Sequence, residues 1–207
     1  MDVHKKWKSQ PIFAGMLAVL AIGSVIFQYV IATGTTINFL SFFTIQCNLL
    51  VGICMTFAAF FPASAGGRFF TSLSVQTAIA LYIFIVALVY NTVLRGLYPM
   101  DAWNILADTM LHVVIPILYL CYWLFMRPEG DLEYRNGISW LVFPTVYLIY
   151  SMIRGSIVHW YPYPFLNAEK SGYGKVSINI LVMIAVFLLA GLILIAVTRS
   201  LKKKGTA

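Results

Sequence analysis

A threonine hydroxyl, a histidine imidazole and a carboxylate are the working parts of a covalent acyl-transfer site. This chain carries them at Thr44, His112 and Asp108, each inside a stretch otherwise built of apolar residues. In such chemistry the imidazole takes the hydroxyl proton as the oxygen attacks a carbonyl, the carboxylate holds the ring, and amide donors stabilise the oxyanion. Asn48 and Asn91 supply amides in similar surroundings, and Arg154 supplies a cation that could hold a carboxylate or phosphate. Polar groups of this kind are expensive in hydrocarbon and are usually there for function.

Spacing gathers these residues into faces. On a helix, Ser41, Thr44 and Asn48 fall at i, i+3 and i+7 and point together. Asp108 and His112 are four apart, which puts a carboxylate one turn above an imidazole. Tyr147, Ser151 and Arg154 share a face in the same way. Pro116 follows His112 by four residues and cannot donate to its carbonyl, so that carbonyl should be freed and the helix bent near the site. Asn48 is expected as an oxyanion or threonine-orienting donor, and Arg154 as a carboxylate clamp. Each also has a plainer reading: Asp108 as a helix N-cap, and Arg154 in a structural ion pair with Asp108 or Asp101.

The elements that must position these groups follow from composition. Of 207 residues, 61% are hydrophobic and 10% charged, which leaves too little polar surface to coat a soluble globule. A spanning helix needs about 20 apolar residues, and six segments qualify, at 11–32, 37–61, 71–94, 107–126, 138–160 and 176–198. Runs of that length satisfy their own backbone hydrogen bonds only as helices, so the expected fold is all-α, a single six-helix membrane bundle over residues 1–207.

The net charge of +7 is placed for topology and not for nucleic acid. Lys5, Lys6, Lys8, Arg68, Arg127, Arg135, Arg199, Lys202, Lys203 and Lys204 fall on one side of the spans, against Arg95, Lys170 and Lys175 on the other. The positive-inside rule then puts both termini in the cytoplasm, as a multi-pass protein of the cell (inner) membrane. With that orientation, Thr44 lies about 10 Å below the outer end of its helix, His112 about 8 Å and Arg154 about 9 Å at the helical rise, with Asn91 and Asp108 about one turn higher. Polar groups of four helices should therefore share one slab of the non-cytoplasmic leaflet. The outer connection 160–167 holds four aromatics and two prolines and is expected to fold back onto the bundle, as an interfacial belt or as a lid.

At these same residues the sequence resembles a known family. Phe42-Phe43-Thr44-Ile45-Gln46-Cys47-Asn48-Leu49-Leu50, then Leu111-His112-Val113-Val114-Ile115-Pro116, then Tyr161-Pro162-Tyr163-Pro164-Phe165-Leu166 are similar to the androgen-induced-gene family of integral-membrane hydrolases, especially its bacterial six-helix relatives. The resemblance implies a threonine hydrolase with Thr44 as nucleophile and His112 as its partner, cleaving fatty acid esters of hydroxy fatty acids within the bilayer. The sequence has no His-Glu-x-x-His zinc motif and no Gly-x-Ser-x-Gly elbow, so metal-free and cofactor-free chemistry is the expectation. The competing class is a small-molecule or proton-coupled transporter or binding protein. It predicts polar residues continuing toward the cytoplasm, where Gly52, Cys54, Thr56, Gln76 and Thr77 are the few on offer.

Overall fold

The computed structural model describes the backbone of residues 3–205 and the side chains of residues 10–201. The terminal residues His4, Lys5, Lys6, Trp7, Lys8, Lys202, Lys203 and Lys204 lie outside the described side chains. All regular structure among the described residues is helical. Six helices are long and apolar enough to cross a membrane: Gln10–Ile31, Phe43–Phe60, Leu73–Leu94, Ala102–Met126, Tyr134–Val158 and Tyr173–Leu201. The chain is a multi-pass membrane protein, and it divides into two compact units at Gly130.

In the first unit the chain runs through α1 (Val3–Ile31), α2 (Thr36–Leu40), α3 (Phe43–Phe60), α4 (Ala65–Phe70) and α5 (Leu73–Val89). A π-turn (Tyr90–Leu94) ends α5; α6 (Ala102–Thr109) continues through a second π-turn (Met110–Val114) into α7 (Ile115–Met126). The long helices pack in a ring, α1 on α3, α3 on α5, α5 on α7 and α7 back on α1. Small residues make the α1–α3 seam close: Ala14, Ala18 and Ala21 are buried, and a Cβ on Gly52 would come within 2.7 Å of Ile22. Without a hydrophobic drive between helices in lipid, such close backbone approach is a main source of association.

Two span boundaries differ from the sequence expectation, and both bear on the site. The segment 37–61 is not one helix: Phe42 is extended (φ −77°, ψ 127°), so α2 stops and α3 starts afresh at Phe43. Ser41 is therefore the C-cap of α2 and not a residue of the helix that carries Thr44 and Asn48, and its Oγ donates to the Ile37 carbonyl (2.6 Å). The span expected from 107 begins at Ala102, because Asp101 caps it by accepting from the Asn104 amide (2.8 Å). Asp108 is thus an interior helical residue and not the N-cap.

The second unit comprises α8 (Tyr134–Trp140), α9 (Val142–Val158), a 3₁₀ turn (Pro164–Leu166), α10 (Ala168–Ser171) and α11 (Tyr173–Gly205). The aromatic connection folds back, as expected, onto helices of its own unit. Tyr161, Leu166, Ala168 and Val176 form a buried cluster with Leu148, Met152, Tyr163, Phe165 and Ile180 around it. His159 ends α9 in the left-handed region (φ 56°) and pairs with Glu169 on α10, which fixes both ends of the loop. Arg199 donates to the Leu132 carbonyl (3.1 and 2.9 Å) and lies over the Tyr134 ring, tying the end of α11 to the start of α8.

Candidate active site

The break at Phe42 gives Thr44 its setting. It sits in the first turn of α3, where the first amides have no carbonyl four residues back in their own helix and the helix dipole is positive. Thr44 is buried, and its Oγ1 lies 3.3 Å from Nε2 of His112. The two are 68 residues apart in sequence, on different helices of the first unit.

The other ring nitrogen fixes the tautomer. Nδ1 of His112 lies 2.9 Å from the Asp108 backbone carbonyl and 3.0 Å from Asp108 Oδ1. Both are acceptors, so Nδ1 carries the proton and Nε2 presents a lone pair to the Thr44 hydroxyl. The hydroxyl, imidazole and carboxylate thus line up in the order that a nucleophile, general base and orienting acid require. The His112 and Asp108 side chains are 12% and 17% exposed, so both are largely shielded, the carboxylate slightly less than the ring. The Tyr90 ring stacks on the imidazole (centroids 3.8 Å apart, 18° between planes), and its hydroxyl interacts with Asp108.

Two asparagines brace this chain. Asn48 is fully buried; its Nδ2 donates to the Thr44 carbonyl (2.8 Å) and to the Leu111 carbonyl (3.2 Å). Both its hydrogens are therefore spent on backbone, which corrects the expectation of an oxyanion donor and keeps the threonine-orienting one. Asn91 donates to the Ala87 carbonyl (2.8 Å) and to the freed carbonyl of His112 (3.3 Å), and its Oδ1 accepts from Arg95 (3.0 Å).

Thr44, Asn48, Asn91, Asp108 and His112 thus come together in the first unit. Ser151 and Arg154 belong to α9 of the second. Tyr147, Ser151 and Gly155 form the buried stripe of that helix, and the Arg154 guanidinium lies 5.0 Å over the Trp160 ring. Sequence reasoning overlooked Tyr90, whose neighbour Asn91 marked the place, and Arg95, which had been read as topology alone.

A second polar cluster lies in the half of the first unit away from this site. Tyr119, fully buried, donates to the Gln76 carbonyl (3.2 Å) and contacts Cys54; Trp123 donates to Thr77 (2.9 Å), and Gln10 to the Tyr122 hydroxyl (3.3 Å). The Gln76 carboxamide is buried, and neither Nε2 nor Oε1 is in a well-formed hydrogen bond among the described residues.

Fold and site together define a multi-pass membrane protein that carries a threonine–histidine–aspartate hydrogen-bonded chain inside its helical ring. No protein-family model, curated protein or solved structure matches the chain.

Proposed function

We propose that this protein is an intramembrane ester hydrolase with Thr44 as nucleophile, His112 as base and Asp108 as the group that orients the imidazole and stabilises it once it has taken the proton. The observation that carries the reading is the Thr44 Oγ1 to His112 Nε2 contact of 3.3 Å with Nδ1 held from the other side. Thr44 Oγ1 bonds to the ester carbonyl carbon as its proton passes to Nε2. The positive end of the dipole of α3, in whose first turn Thr44 sits, stabilises the oxyanion in place of the Asn48 side chain. Collapse breaks the bond to the leaving alkoxide, which takes the proton from His112. Water then repeats the sequence to release the acid and regenerate Thr44.

The substrate is a lipid ester, because the hydroxyl lies within a membrane-spanning ring. The motifs on α3, α6–α7 and the aromatic loop support fatty acid esters of hydroxy fatty acids in particular. The site then faces the non-cytoplasmic leaflet of the cell membrane, with both termini cytoplasmic. Arg95, held on Asn91, joins Arg154 as a candidate cation for an acidic group of the substrate. The transporter reading needs polar groups in continuity with the inner cluster. On α3 and α7 the residues between are apolar and fully buried, Val51 and Ile115, which favours the hydrolase.

The test is cleavage of a long-chain lipid ester by purified protein in detergent, with intact-mass and peptide mapping after a fluorophosphonate probe. Loss of turnover in both Thr44→Ala and His112→Ala, with adduct on Thr44, is expected. Substantial turnover by folded Thr44→Ala overturns the reading.

A further inference from the structure

Two carbonyls beside the imidazole lose helical partners for a covalent reason. In an α-turn the amide of residue 116 would donate to the His112 carbonyl, and in a π-turn to that of Leu111, but residue 116 is proline and has no hydrogen to give. The α-turn partner of Leu111, the Ile115 amide, is already bonded to the Met110 carbonyl. An unpaired carbonyl inside a membrane ring is costly, so donors must come from outside the helix.

Asparagines from two neighbouring elements supply them, in the same pattern. Each gives one hydrogen to the carbonyl four residues back in its own element, Thr44 for Asn48 and Ala87 for Asn91, at 2.8 Å in both cases. Each gives the other across the ring, Asn48 to Leu111 at 3.2 Å and Asn91 to His112 at 3.3 Å. Asn48 therefore bridges the nucleophile's own carbonyl to the residue before the base. Movement of either backbone segment breaks one of its two bonds.

We propose that Asn48 and Asn91 are positioning residues for the base. They hold the π-turn Met110–Val114 in the register that brings the imidazole to Thr44, by replacing the donor that Pro116 withholds. The kinetic consequence rests on the hydrolase reading, whereas the structural one does not. The two contribute unequally. Asn48 is fully buried, so no water can stand in for it, while Asn91 is exposed and water can replace part of what it gives.

The experiment combines Asn48→Leu, Asn91→Leu and Pro116→Ala, alone and paired, in purified protein reconstituted in lipid nanodiscs. A misplacement of about 1 Å costs roughly 100-fold in turnover, so Asn48→Leu is expected to lower kcat by about that factor with KM nearly unchanged, and Asn91→Leu to lower it less. Pro116→Ala restores an amide hydrogen and should recover about tenfold in either background. A pure packing role would show no such rescue. In parallel, ¹⁵N spectra of histidine-labelled protein report the ring, with the His112 signal assigned by its loss in His112→Gln. The native Nε2 signal should be that of a hydrogen-bond acceptor, shifted toward an unbonded nitrogen in Asn48→Leu and restored by Pro116→Ala. A folded Asn48→Leu with native kcat and a native Nε2 signal overturns the proposal. If Asn48→Leu does not fold, Asn91→Leu carries the test, and a native kcat and Nε2 signal there overturn it equally. A native protein that shows the spectral pattern without ester cleavage sinks the hydrolase reading alone.

Discussion

Tyr90 lies flat on the imidazole of His112, with ring centroids 3.8 Å apart, and its hydroxyl reaches the same Asp108 that orients the ring. One residue therefore controls both the face and the partner of the base. Tyr90→Phe keeps the stack and loses only a hydrogen bond to the carboxylate, so turnover should fall by a few-fold. Tyr90→Leu loses the stack as well, worth about 0.5–1.5 kcal/mol, and should fall roughly 2- to 13-fold further. Steady-state kinetics on the two variants check the order; equal losses would mean that the ring face contributes nothing.

Asp108→Asn separates tautomer from charge. The backbone carbonyl of Asp108 still accepts the Nδ1 proton at 2.9 Å, so the tautomer survives and only the stabilisation of the imidazolium is lost. A hydrogen bond to a charged group contributes about 1.5–3 kcal/mol, which corresponds to a loss of roughly 10- to 150-fold in kcat. A fall of about 10⁴-fold, as expected when the tautomer itself is lost, would contradict this geometry.

Gln76 has a buried carboxamide beside the Tyr122 hydroxyl, with neither polar atom in a well-formed hydrogen bond among the described residues. Leucine has a similar volume and no polar atoms to leave unsatisfied. Gln76→Leu should therefore stabilise the first unit by about 1–3 kcal/mol, read as a raised Tm in detergent. A lowered Tm would mean that the amide is satisfied in the membrane.

Gly155→Ala tests the outer loop. A Cβ there would meet the Tyr161 ring at 2.2–2.6 Å, so the ring must leave its place in the cluster formed with Leu166 and Val176. Overpacking of this kind costs about 1–3 kcal/mol. Faster proteolysis within 159–172 and a lower Tm are the expected readouts; a native cleavage pattern would show that the loop is seated elsewhere.

Asp101 sets a dependence on acid. Its carboxyl is held below its ordinary value by the backbone amide and then the side-chain amide of Asn104. A folded value below the unfolded one means that the contribution is complete above the unfolded value and is lost as pH falls through the folded one. Stability of the α6 start should decline on that acid limb, and Asp101→Asn should flatten it in a pH series of thermal melts.

The six spans were legible because length and hydropathy alone define them. The pairing of Thr44 with His112 was also legible, although the helix ends used to count depth were displaced. Asp101 starts the fourth span at Ala102, which puts His112 about 15 Å along it at the helical rise. Phe42 breaks the second span just before the threonine. The freed His112 carbonyl followed from Pro116 alone, but its acceptance of Asn91 required coordinates. The two π-turns were invisible because a 3.6-residue period was assumed throughout, and Tyr90 was lost with them. Depth along a helix does not say which side chains touch, so the bond between Arg95 and Asn91 was not legible.

A π-turn is an α-helix holding one residue too many, and each residue of a helix subtends about 100°. Deleting any single residue from 110–114 would let the ladder of bonds close in the ordinary way and leave the helix on either side facing nearly as before, because the bulge already absorbs the extra residue. The same deletion made in the regular turns of α6 or α7 has no bulge to close, and would turn the two sides of the span against each other by about 100°.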